Sequence, residues 1–231
     1  MSEYQLYAVL MEIKEPIIIG KGERWMVLKK PAGMIVHPAN GDFNDLLTWS
    51  KAELDKDKDL AKFCDYDPNY ELHVIHRLDR EVGGLVLVAL DKKRANHLHK
   101  QFENREIIKA YQALVNVSDK IEEEGEWSWK ITKKAEGRSN PAGFKKFRVP
   151  CSTSYKILEK QDEHIRLELV PNTGRKHQLR RHCAMAGVPI LGESRYHNYE
   201  AEHPLYLFST KLGFTDPNNG EKHLFEIKAD F

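Results

Sequence analysis

Six consecutive apolar residues, Leu-Val-Leu-Val-Ala-Leu at 85–90, form the longest unbroken aliphatic run in the chain. A run without polar alternation predicts a strand covered on both faces. Asp91 follows in a capping position, and Ala95, Leu98 and Phe102 recur three and four residues apart. That spacing predicts a helix with one apolar face. The pattern then changes to period two, with Tyr111, Ala113, Val115 and Val117 on one side of a strand. Strand, helix and strand within about thirty residues predict a packed core unit.

Elsewhere the pattern is shorter. Trp25–Leu28 reads as a strand, followed by a Pro-Ala-Gly turn at 31–33 and a second short extended piece. Pro31 presets its φ and Gly33 can take a positive φ, which suits a type II turn. The polar stretch 51–59 is either a helix or a solvated loop. Residues 165–170, Ile-Arg-Leu-Glu-Leu-Val, alternate as a half-buried strand, and Pro171–Gly174 is turn chemistry. Thr173 could cap a helix beginning near Arg175. Leu179, His182, Cys183 and Ala186 would form its apolar face, and Gly187 its stop. His182 therefore reads as a hydrogen-bonded core histidine, while His177, Arg180 and Arg181 lie on the other side, near Arg175 and Lys176. A helix start offers unpaired N–H donors that favour anions, so a carboxylate could sit against this cationic element.

Composition narrows the class. The chain has 231 residues, 41% hydrophobic and 31% charged, and a net charge of +1. It is long enough for a substantial core and has no global field drawing it to nucleic acid or membrane, although local patches can still do so. The three cysteines, Cys64, Cys151 and Cys183, have neither disulfide nor zinc spacing. No apolar run approaches the roughly 20 residues a membrane helix needs, and the N-terminus does not resemble a signal peptide. A soluble cytoplasmic protein is expected.

Charge is unevenly distributed. Asp119, Glu122, Glu123, Glu124 and Glu126 form an acidic cluster; between Lys130 and Arg148, five lysines and two arginines face one acid, Glu136. Phe144 and Phe147 are interleaved with the cations. This segment is either a solvated excursion or a surface that tracks phosphates and offers faces for base stacking.

The stretch His76-Arg77-Leu78-Asp79-Arg80-Glu81-Val82-Gly83-Gly84 places one acid between two arginines, just before the buried strand. Together with Lys109-Ala110-Tyr111, Thr173-Gly174-Arg175-Lys176-His177-Gln178-Leu179-Arg180 and Gly187–Tyr196, it resembles the RluA-type pseudouridine synthases. These enzymes convert uridine to pseudouridine in ribosomal or transfer RNA. Lys29–Pro38 and the closing Ile227–Phe231 resemble that family's first and last pieces, so the likeness spans roughly residues 25–231. The segment 174–182 is closer to the transfer-RNA-modifying TruC-type branch.

The resemblance implies an α+β fold: a mixed, largely antiparallel sheet with flanking helices and a central RNA-binding cleft. It implies that Asp79 is the catalytic aspartate, Tyr111 the tyrosine against which the flipped base rests, and Arg180 the partner of the aspartate. It places Arg77 at the flipped nucleotide and Leu179 at the pocket floor, a position that plain core packing fits equally. An arginine beside Asp79 would lower its pKa by roughly 1–3 units, leaving Arg77 and Arg80 to meet RNA and Gly83 and Gly84 to admit the substrate. The isomerisation needs no metal or cofactor, and none is expected. The implied partner is structured RNA, tRNA or rRNA, bound by a monomer with no membrane attachment. Two departures stand out. The family usually has Thr-Ser-Gly at Val82-Gly83-Gly84, and Leu-His-Ala at Leu207-Phe208-Ser209.

Residues 1–231 are expected to form a single catalytic domain, with residues 1–24 an N-terminal extension too short for the S4-type domain of some relatives. Recognition of RNA would then fall to the domain itself, with Lys133, Lys134, Lys145 and Lys146 as contacts. Other readings fit less well. A glycoside-cleaving enzyme needs two carboxylates flanking the bond, and only Glu81 neighbours Asp79 in sequence. A zinc hydrolase lacks helical spacing, since His177 and His182 are five apart. An RNA-binding protein of the same fold with impaired catalysis is the remaining alternative.

Overall fold

The computed structural model describes residues 15–38, 44–119, 121–133, 140–197 and 204–231. Strand β1 (Ile17–Gly22) turns through Glu23 and Arg24 into β2 (Trp25–Lys30). The segment expected as an N-terminal extension thus includes an edge strand of the sheet; residues 1–14 lie outside the described part. The polar stretch resolves into two helices, α1 (Leu46–Lys56) and α2 (Lys58–Phe63). Each is started by an aspartate, Asp45 or Asp57, whose carboxylate accepts the first free N–H groups.

The next elements are β3 (His73–Val74), β4 (Gly83–Ala89), α3 (Lys92–Glu103) and β5 (Ile108–Asn116). This is the strand–helix–strand unit expected from periodicity, with Asp91 accepting from the Arg94 N–H. Strand β5 stops at Asn116, and Val117 lies beyond it, exposed. The chain continues through β6 (Glu124–Trp127), β7 (Ile131–Thr132), β8 (Arg148–Val149), β9 (Thr153–Lys160) and β10 (His164–Pro171). It then enters helix α4 (Gln178–Met185) and ends with β11 (Leu207–Thr215) and β12 (Lys222–Glu226).

Among the described residues, ten strands form one sheet in the order β1-β2-β4-β11-β5-β10-β9-β6, with β3 on β4 and β12 on β11. The β4–β11 pair is parallel and the other ladders are antiparallel. Every residue of β4 is buried. Val86 and Val88 join a core with α1, α2 and Leu179 and Cys183 of α4; Leu85, Leu87 and Ala89 join a second core with Ala95 and Leu98 of α3. Burial on both faces is why β4 shows no polar alternation. The fold is therefore the α+β class expected, a large and mostly antiparallel sheet with few helices. No helix among the described residues is long and apolar enough to cross a membrane.

Candidate active site

Asp79 sits in the loop between β3 and β4, on the α4 side of the sheet. Three devices fix this loop. The Val82 N–H donates to the Asp79 carbonyl at 3.1 Å. Arg80 and Gly33 exchange bonds, Gly33 N–H to Arg80 O at 2.7 Å and Arg80 Nε to Gly33 O at 2.9 Å. Lys30, fully buried, donates from Nζ to the carbonyls of Pro31, Met34 and Arg80 at 2.9, 2.7 and 3.3 Å. Burial pulls the Lys30 ammonium down to about 8, against the pull of Asp79 and Glu81 in the other direction. Arg80 thus braces loop to turn through Nε while its side chain remains exposed.

Gly83 and Gly84 also act within the protein. Gly84 has φ +116°, and a Cβ there would lie 2.2 Å from the Ser209 carbonyl oxygen; one on Gly83 would lie 2.6 Å from the Phe208 ring. What approaches these glycines is β11. Phe208 and Ser209 are their register partners, so the two departures from the family pattern face each other across one strand pair.

Helix α4 brings Arg180 to the loop. Its Nη1 is 3.5 Å from Asp79 Oδ2 and 3.5 Å from Glu81 Oε2. Its firmest partner is Glu193: Nε to Oε2 at 2.6 Å and Nη2 to Oε1 at 2.9 Å, a bidentate and buried pair. Glu193 Oε1 also accepts from the backbone N–H of Arg195 and Tyr196, at 2.8 and 3.2 Å. Burial alone would raise the Glu193 carboxyl, but Arg180 and those two N–H groups hold it below its ordinary value. The Arg180 guanidinium, despite burial, is held above its ordinary value by Glu193.

Asp79 departs from expectation in sign. Burial raises its pKa, and the opposing pull of Arg180 does not reverse this; Glu81 adds to the rise. The carboxylate keeps 27% side-chain exposure, so it faces the solvent side of the loop. Tyr111 lies on β5, opposite Ser209 of β11. Its phenol is pushed up to about 12 by burial and by the charge of Asp79, while a hydrogen bond from the Ser209 side chain draws it the other way. Asp79, Arg180 and Tyr111, distant in sequence, therefore share one neighbourhood.

Arg77 is exposed in the loop, and its charge adds to the burial that lowers the pKa of the His37 imidazole. Leu179 is buried in the larger core cluster, with Leu78 and Cys183. Arg181 is fully buried, donating to the Thr132 carbonyl and hydroxyl at 2.9 Å each and to the Pro141 carbonyl. It therefore fastens the β7–β8 excursion to α4 and is not part of an open cationic face. His182 is a core histidine, bonded to Thr153 and Cys151 and lowered to about 4 by burial. Helix α4 begins at Gln178, later than expected, because His177 before it takes a left-handed backbone conformation; Thr173 donates to the Gln178 side chain and does not cap. In the excursion, Phe144, Lys145, Lys146 and Phe147 are exposed in succession; Lys134 lies outside the described residues.

His177, Glu193 and Tyr196 carry no assignment in the sequence reading. Their signal was present, since two of them fall in the Gly187–Tyr196 piece. Among the described residues no group of His, Cys, Asp and Glu could hold a metal ion.

The family model for RNA pseudouridylate synthase matches residues 24–185. The chain belongs to the RluA-type family of RNA pseudouridylate synthases. It is 31% identical over 231 residues to the dual-specificity RNA pseudouridine synthase RluA of Salmonella typhi, covering 93% of this chain and 94% of that protein. It is 32% identical over 222 residues to the ribosomal large subunit pseudouridine synthase C of Vibrio vulnificus (strain CMCP6), covering 88% of this chain. This family member spans 62% of the length of that Vibrio protein and 59% of a Neisseria meningitidis synthase D. The fold matches the structure of human RNA pseudouridylate synthase domain containing 4, with a TM-score of 0.71 at 23% identity over 98% of this chain and 93% of that one.

Proposed function

We propose that this protein isomerises a uridine in structured RNA, tRNA or rRNA, to pseudouridine, with Asp79 as the catalytic carboxylate. The observation that carries this reading is the convergence of Asp79 and Arg180 at 3.5 Å in a chain of this family, with Tyr111 inside the field of the same carboxylate. The reaction breaks the N1–C1′ bond, joins C5 to C1′, removes the proton from C5 and leaves one on N1. It requires a charged carboxylate near the ribose and base, and Arg180 favours that charge against burial.

A stacked uridine cannot reach Asp79, so the nucleotide is flipped out at a cost of a few kcal/mol. The Tyr111 ring is the surface against which the base rests, and exposed Arg77 meets the displaced backbone. Leu179 lies beneath, where core packing and pocket floor coincide. The excursion carrying Lys145 and Lys146 is tied by Arg181 to the helix that holds Arg180, so its cations and the exposed rings of Phe144 and Phe147 extend the RNA surface from the site. The protein acts as a cytoplasmic monomer on this reading, through a single catalytic domain.

Tritium release from RNA carrying [5-³H]uridine tests the proposal. Wild-type protein should release label in proportion to pseudouridine formed, and Asp79→Asn should release none. Retention of RNA on a filter without release by the wild type would identify a binding protein with impaired catalysis instead.

A further inference from the structure

His177 begins α4 in an uncommon conformation. It has φ 53° and ψ 28°, the left-handed region, and its side chain makes no capping bond to the helix. Histidine is among the few non-glycine residues that tolerate this region, and such conformations persist where the surroundings fix them. Here both imidazole nitrogens have partners. Nδ1 is 2.8 Å from the Tyr196 hydroxyl, and Nε2 is 3.5 Å from Asp79 Oδ1. The other oxygen of Asp79 faces Arg180. One helix start therefore presents a nitrogen to each carboxylate oxygen.

We infer that His177 is a positioning residue for Asp79. Its neutral imidazole accepts the Tyr196 hydroxyl proton at Nδ1 and directs Nε2–H at Oδ1, while Arg180 holds Oδ2. This rests on the reading of Asp79 as the catalytic carboxylate. The Tyr196 hydroxyl can donate or accept, so the two contacts together select the tautomer: a bare Nε2 would face a carboxylate lone pair, so the proton sits on Nε2 and Nδ1 accepts from Tyr196. Burial is the largest influence on the ring, and Arg180, Arg195 and Lys176 of the preceding turn also oppose a second proton. The imidazole is lowered to about 4, although Glu81 in the β3–β4 loop, and Asp79 itself at 3.5 Å, favour one. At neutral pH it is thus an uncharged donor, which orients the carboxylate without adding to its charge balance. Both contacts to Asp79 are long at 3.5 Å, as in sites whose hydrogen bonds tighten only when substrate is bound.

Two measurements test this. In ¹⁵N-histidine NMR of the RNA-free protein near pH 7, His177 should be neutral with its proton on Nε2. Tyr196→Phe should abolish that single tautomer. Single-turnover rates on [5-³H]uridine RNA should fall about tenfold or more in His177→Asn, which tolerates the left-handed backbone but is too short to reach Oδ1. They should recover partly in His177→Gln, whose Nε2 can reach it, with RNA affinity unchanged in each. An imidazolium or an Nδ1–H tautomer in the wild type overturns the inference, as does wild-type turnover in His177→Asn. Should the wild type release no tritium, the pseudouridine reading fails, and the NMR result still decides the state of His177.

Discussion

Arg180 grips Glu193 with two hydrogen bonds of 2.6 and 2.9 Å and meets Asp79 with a third nitrogen at 3.5 Å. Glu193 is fully buried and fixed in turn by two backbone N–H groups. The guanidinium is therefore positioned by one acid and offered to another. Glu193→Ala should leave the buried guanidinium with only the two long contacts to Asp79 and Glu81 and cost about 3–5 kcal/mol of stability, measured by urea unfolding. The pH dependence has a definite sign. The Glu193 carboxyl is depressed in the folded state, so its stabilisation is present above the unfolded pKa and lost as pH falls through the folded one. The acid-side decline of stability should be shallower in Glu193→Gln than in the wild type. Equal slopes would show that Glu193 does not carry this linkage.

Asp79→Asn should behave in the opposite way. Burial raises the Asp79 pKa above its unfolded value, so the folded state binds this proton more tightly and the ionised side chain opposes folding at neutral pH. Asp79→Asn should therefore be as stable as the wild type or more stable near pH 7, while product formation disappears and RNA affinity changes by no more than a few-fold. The wild-type rate should have an acid limb above the ordinary carboxylate range, since only the ionised group acts. A melting temperature clearly lowered by Asp79→Asn would contradict the raised pKa.

The lysines of the excursion supply a separate test. Lys133, Lys145 and Lys146 are exposed, and the Lys146 ammonium lies over the Phe147 ring at 5.9 Å. Replacing the three by glutamine should weaken RNA binding and flatten its salt dependence by roughly 0.7–0.9 in log–log slope for each phosphate no longer neutralised. Fluorescence anisotropy across a salt series measures this directly. An unchanged slope removes the segment from the interface.

Periodicity revealed the β4–α3–β5 unit because its signals are local: an apolar run, an aspartate cap and a clean change of period. Motif order pointed to Asp79, Tyr111 and Arg180, which the fold brings into one neighbourhood. Burial of a loop carboxylate is a tertiary property, and for that reason the arginine neighbours of Asp79 suggest the wrong sign for its shift. The same holds for Arg181, whose spacing suggests an open cationic helix face although its buried side chain braces the β7–β8 excursion. Glu193, His177 and Tyr196 act through a network of side chains that no spacing encodes. Helix α4 starts late because His177 is held in the left-handed region by tertiary contacts, which capping preferences do not encode.

The paired departures at Gly83 and Phe208 make the last prediction. A Cβ on Gly83 would sit 2.6 Å from Cε2 and 3.0 Å from Cδ2 of the Phe208 ring, with the Ala32 nitrogen next at 3.3 Å. The obstruction is mainly one side chain, and Gly83 is not among the residues with positive φ. Gly83→Ser alone should therefore be overpacked and cost about 1–3 kcal/mol. Phe208→Ala alone should also destabilise, by about 3–5 kcal/mol, because Phe208 is buried. The double variant should be less damaged than the sum of the two, since removing the ring frees the space that the serine needs. A double-mutant cycle in urea should yield a coupling of at least about 0.5 kcal/mol. Gly84→Ala has no such rescue, because its clash is with the Ser209 backbone and its φ of +116° disfavours any side chain. Strict additivity at Gly83 and Phe208 would mean that the two departures are independent, and that the loop before β4 is not shaped by the strand beside it.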